Sequence, residues 1–161
     1  MLFNQIMSTI YTKKITGFTA VEILVVLSIM ALLSTIGMSA FISSRKSHAL
    51  KNDRDTIVET LSQAHNQTLA SKNASAYGVN FASSRITLFT GTTYSSSDSN
   101  NKIFDLTSGN SISTALAGNG SNIIFNRITG ETDQSGTVTI SSSATSTMIR
   151  IYKTGTIEVA Y

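Results

Sequence analysis

Three regimes of hydrophobic patterning divide the chain. From 18 to 42 it reads FTAVEILVVLSIMALLSTIGMSAFI, and after Glu22 no charged side chain appears before Arg45. As a helix, these 25 residues reach about 37 Å, against about 30 Å for the hydrocarbon core of a bilayer. Ile23, Leu24, Val25, Val26 and Leu27 cover every face of such a helix. A soluble amphipathic helix shows a polar stripe instead, so the pattern predicts a transmembrane segment. Lys13 and Lys14 precede it, as in a signal peptide, but the apolar run is too long for one and no small-x-small site closes it.

Past 42 the apolar positions become periodic. Leu50, Ile57, Leu61, Ala64 and Thr68 recur at helical spacing, with Lys51, Asp53, Asp55 and Glu59 between them. This predicts an amphipathic continuation of the helix over 43–72. No proline interrupts it and Gly37 stands alone. Lys51 and Asp55 have the spacing of a favourable i,i+4 pair, and Asp55 and Glu59 that of an unfavourable one; both read as solvated face.

From 73 to 161 short alternating runs are punctuated by Gly, Asn and Ser. Runs at 76–81 and 85–90 predict a hairpin across Ala82, Ser83 and Ser84. Further strands are expected at 102–106, 111–116, 122–127, 136–141, 147–153 and 156–161, with a Ser/Thr-rich loop over 91–101. Val138 with Ile140, Ile149 with Ile151, and Ile157 with Val159 each set two β-branched residues on one face, the signature of a half-buried antiparallel sheet. Gly155 suits the tight turn of the last hairpin. Helix and sheet each present one apolar face, and a two-layer α+β unit buries both.

Composition narrows the chemistry. The chain has 161 residues, enough for one domain with an appendage. It has no cysteine, which excludes disulfides, thiolate metal sites and cysteine nucleophiles. Ser and Thr supply about three residues in ten, which suits hydroxyl-rich β structure. The two histidines, His48 and His65, lie seventeen positions apart on the predicted helix and project differently, so each reads as a solvated helix residue. No phosphate-binding glycine loop, zinc-binding H-E-x-x-H or G-x-S-x-G elbow is present. Neither an enzyme nor a cofactor is indicated.

The segment Lys13-Lys14-Ile15-Thr16-Gly17-Phe18-Thr19-Ala20-Val21-Glu22, followed at once by the apolar run, resembles the processing signature of type IV prepilins and type II secretion pseudopilins. The resemblance implies cleavage between Gly17 and Phe18 by a membrane peptidase that also acts as N-methyltransferase, with Phe18 methylated and Glu22 used in filament assembly. Glycine before the cut admits an extended backbone to a protease cleft. An acid in an apolar segment is expensive unless paired, and the ammonium of Phe18 on a neighbouring subunit is a suitable partner. The leader would be 1–17, starting at Met1 or at Met7. Counting flanking charges, Lys13 and Lys14 against Arg45, Lys46, Lys51 and Arg54, favours the opposite orientation to the one the family implies.

The Tyr77-Gly78-Val79 strand, the Gly130 and Gly136 turns and the 149–159 hairpin resemble the H-type minor pseudopilins and the related FimT-like minor pilins. The fold implied is α+β and type IV pilin-like, a long N-terminal helix with its first half transmembrane, packed on a small antiparallel β-sheet head. The function implied is that of a minor structural subunit of a type II secretion pseudopilus or type IV pilus, in the inner membrane with its head outside the cytoplasm. Its partners would be the peptidase, other pilins or pseudopilins in a filament or tip complex, and a secreted cargo. The alternative is a FimT-like tip receptor for DNA uptake. Some such members bind DNA through arginines after the glycine of the last hairpin, where this chain has Thr156, Ile157 and Glu158. Arg127, Arg150 and Lys153 are the remaining DNA-binding candidates. Without the leader, ten Lys and Arg face nine acids, too small an excess for the whole head to capture a polyanion. Asp98 with Asp105, or Glu131 with Asp133, resembles the loop carboxylates that hold calcium in certain major pseudopilins, but neither has the 12-residue ligand pattern. Sequons at Asn66, Asn73 and Asn119 are the kind that chance supplies in a Ser/Thr-rich chain.

Overall fold

A computed structural model describes residues 17–143 and 145–160, apart from the side chains of 35–37, 39 and 40. Lys13, Lys14, Met1 and Met7 lie outside the described residues. The chain divides into two compact units, Met1–Ala40 and Phe41–Tyr161. Helix α1 (Ala20–Leu69) is assigned over 50 residues and begins in the first.

The start of α1 is capped by its own sequence. The Glu22 amide donates to Thr19 Oγ1 at 3.2 Å, and the Ile23 amide to the Thr19 carbonyl at 3.2 Å. Thr19-x-x-Glu22 is thus the N-terminal half of a capping box, and the acid favours the positive end of the helix dipole. Further on, Ser28 and Ser34 donate to the carbonyls of Leu24 and Met30, each at 2.7 Å, which satisfies both hydroxyls within an apolar run.

Among the described residues no helix is long and apolar enough to cross a membrane. The part of α1 in the second unit carries Arg45, Lys46, Lys51, Asp53, Arg54, Asp55 and Glu59. The expected fold, with a transmembrane first half of the helix, is corrected accordingly. A second correction concerns the β region, which is two sheets rather than one small sheet.

In the second unit the eight strands are β1 (Tyr77–Ala82), β2 (Arg85–Thr90), β3 (Lys102–Asp105), β4 (Ser111–Leu116), β5 (Asn122–Phe125), β6 (Gly136–Ser141), β7 (Ser146–Ile151) and β8 (Ile157–Ala160). One antiparallel sheet has the order β3-β2-β1-β5 and the other β4-β6-β7-β8. Alternation sets Val79, Phe81, Ile86, Leu88, Ile123 and Phe125 inward from the first sheet, and Val138, Ile140, Ile149 and Ile151 from the second. With Leu50, Ile57, Leu61 and Ala64 of α1 they form one contiguous core. Gly78 faces the other way, and a Cβ there would lie 2.5 Å from the Phe89 ring across the strand pair. Phe89 is buried in that space and meets Tyr94 edge-on at 5.4 Å.

Polar residues complete the inner stripe of α1. Asp53, which lies between the periodic apolar positions, is buried. Its oxygens accept from the Thr107 amide at 3.0 Å, the Thr107 hydroxyl at 2.9 Å and the Asn110 side-chain amide at 2.7 Å. The loop between β3 and β4 is thereby tied to the helix. One end of β1 is tied similarly, since the Tyr77 amide donates to the buried Thr68 Oγ1 at 2.9 Å. Asp55 pairs with the adjacent Arg54 at 2.7 Å, in place of the expected Lys51.

Charge-assisted bonds in a buried site are lost together when the acceptor goes. Asp53→Ala is expected to destabilise the second unit by about 2 to 4 kcal/mol in urea denaturation. Asp55→Ala, which removes an exposed pair, should cost under about 1 kcal/mol.

Candidate functional site

The residues that carry the processing signature are accessible in the first unit. Phe18 is 78% exposed, Gly17 precedes the helix, and a Cβ at Gly17 would meet nothing within 4 Å. Glu22 is exposed in the first turn of α1. Beyond it Ile23, Leu24, Val26, Leu27, Met30 and Leu33 are all exposed, so the apolar surface is unburied along the described part of this unit. Apolar surface of this extent marks a site of association. Sequence reading placed Glu22 on this surface but missed its part in the cap, which Thr-x-x-Glu ahead of an apolar run signals.

The three candidate DNA-binding residues do not form one patch of free charge. Arg150 on β7 stands opposite Glu158 on β8. The Tyr152 hydroxyl hydrogen-bonds to the Glu158 carboxylate, and Tyr152 also holds the Arg150 pKa above its ordinary value, chiefly by hydrogen bonding and then by charge. Lys153 lies in the turn between β7 and β8, where its carbonyl accepts from the Thr132 amide at 2.9 Å. That bond joins the turn to the loop carrying Arg127. Arg127 and Lys153 are therefore on two linked loops, while Arg150 is engaged with Tyr152 and an acid.

His65 is the centre of that linkage. It is half-buried rather than solvated, meets Phe125 edge-on with ring centroids 5.1 Å apart, and has two glycines over its ring edge. A Cβ at Gly130 would come within 2.5 Å of its Nε2, and one at Gly155 within 2.8 Å. Gly155 also approaches the Gly130 carbonyl so closely that a Cβ would sit 2.2 Å from it, and both glycines hold positive φ. Ile128, also at positive φ, is held there by hydrogen bonds around it, from the Gly130 amide to the Asn126 carbonyl and from the Asn126 amide to the Glu131 carbonyl. His48, by contrast, is exposed.

Two of the four calcium candidates have other partners. Asp98 accepts from the backbone and side chain of Asn100, and Asp105 pairs with Arg85 at 3.2 Å. Among the described residues no group of three or more His, Asp or Glu is placed to hold a metal ion. No family model, curated protein or solved structure matches the chain.

The double constraint at Gly155, backbone sign and lack of room, has a measurable consequence. Gly155→Ala is expected to cost about 2 to 4 kcal/mol of stability, whereas Gly91→Ala, at positive φ but in open space, should cost about 1 kcal/mol. Equal losses in chemical denaturation would refute the packing of the two turns on His65.

Proposed function

We propose that the chain is a structural subunit of a filament, a minor pseudopilin of a type II secretion pseudopilus or a minor pilin of a type IV pilus. The observation that carries this reading is the exposed apolar surface that begins at Phe18 and holds Glu22 as its acid, directly after a glycine in open backbone. Copies of the chain laid side by side would bury that surface, at about 25 cal/mol per Å² of apolar area removed from water. In such an assembly Glu22 meets the new ammonium of Phe18 on the next subunit once the leader is removed. The reading implies a precursor at the cytoplasmic membrane, where a prepilin peptidase and N-methyltransferase acts, and a β unit that meets further pilin subunits or a cargo.

Its first test is the mature terminus. Mass spectrometry of native material should find an N-methylated phenylalanine at Phe18, and Gly17→Leu should leave the precursor uncut. A native chain beginning at Met1 or Met7 would sink the proposal.

The second test separates assembly from capping. Glu22→Gln preserves the side-chain length and polarity that a capping box accepts but removes the charge. It should leave helix content by circular dichroism unchanged and lower incorporation into filaments at least about tenfold, because an unpaired buried ammonium costs several kcal/mol. Thr19→Ala should do the reverse, loosening the first turn with incorporation largely kept. Normal incorporation of Glu22→Gln would reduce the acid to a helix cap. DNA retardation that weakens with salt and is lost in Arg127→Ala/Lys153→Ala would instead favour a tip receptor for DNA.

A further inference from the structure

Within the second unit, a groove of about 600 Å³ opens between the first turns of its helix and two loops. Arg45, Lys46 and His48 line the helical side. The opposite side consists of the 107–110 loop and the turn at Ser142 and Ser143, which contribute hydroxyls and amides. No carboxylate lines it. The nearest acid in the loop's support, Asp53, faces Thr107 and Asn110 and spends its oxygens on them. That clamp ties the 107–110 wall of the groove to the helix. Lys46 already reaches across the groove, donating to Ser143 Oγ at 3.0 Å.

Arg45 and Lys46, with the Ser143 hydroxyl and Ser108 on the facing wall, form a site for a phosphate group in which the guanidinium and ammonium supply the charge, the Thr107 and Asn110 donors being spent on Asp53. What selects among phosphate compounds is the surface beside the groove. Phe41 and Ile42 are exposed one turn before Arg45, and the Arg45 guanidinium lies 5.6 Å from the Phe41 ring centroid. A small anion would leave that apolar shoulder bare. A ligand with a phosphate and a hydrocarbon chain joined at short range covers both.

We propose that this groove binds the headgroup of an anionic phospholipid, with Arg45 and Lys46 on the phosphate and the first methylenes of the acyl chain against Phe41 and Ile42. The inference is independent of the filament reading, since failure of one leaves the other standing: neither processing at Gly17 nor the charge of Glu22 enters it.

The test uses the full chain in nonionic micelles, examined by native mass spectrometry with equimolar phosphatidylglycerol and phosphatidylcholine, and separately with inorganic phosphate. Retention of phosphatidylglycerol should exceed that of phosphatidylcholine about tenfold, and Arg45→Gln/Lys46→Gln should erase the difference. The charge-matched control Arg85→Gln/Lys102→Gln, on β2 and β3, should keep it. Should the double variant lose its fold by circular dichroism, Lys46→Gln alone replaces it, with an expected partial loss of preference. Equal retention of the two lipids overturns the proposal, as does a preference that survives in the groove variants. Stoichiometric adducts of inorganic phosphate without lipid preference would assign the groove to a free anion and overturn the lipid assignment.

Discussion

The second unit is organised by one requirement: the inner stripe of α1 must be removed from water together with the polar residues that fall on it. Leu50, Ile57, Leu61 and Ala64 supply the apolar part and are buried against both sheets. Asp53 and Thr68 occupy the same stripe, and each must find donors inside the fold. Thr68 takes the amide at the start of β1, and Asp53 takes the loop between β3 and β4. Burial of apolar area drives the collapse, but these bonds determine which loop lies where along the helix.

A consequence is that the two proposed binding surfaces differ in chemistry. The described apolar residues of the first unit are satisfied internally, by the Thr19 cap and by serines bonded back to their own helix, and need other molecules only to cover their side chains. The groove of the second unit is polar and cationic, with its far wall fixed by Asp53. The proposed assembly through the first and the proposed lipid recognition through the second draw on different residues.

Much of this was legible beforehand. The β1–β2 hairpin, the alternation of Val138, Ile140, Ile149 and Ile151, and the need for Gly155 in the last turn follow from period-two patterning and turn chemistry, which are local properties. His65 was misread as solvated because polar residues on a helix are usually outward, and helical spacing does not say which loop will arrive opposite. The groove was invisible for the same reason: Arg45 and Ser143 are nearly a hundred residues apart, and only the packed loops bring them to one place.

The transmembrane expectation illustrates the limit from the other direction. Crossing a bilayer takes about 20 consecutive apolar residues, and among the described residues no helix is long and apolar enough to do so. The resemblance to a processing signature around Gly17, Phe18 and Glu22, the helical and strand periods and the absence of thiol chemistry belong to the sequence, because each is read from the residues themselves and their near neighbours. The division of eight strands into two sheets, the clamp at Asp53 and the glycine turns around His65 were decided by tertiary structure. They depend on which buried polar groups can be satisfied across long chain separations, and that is settled only when the whole core closes.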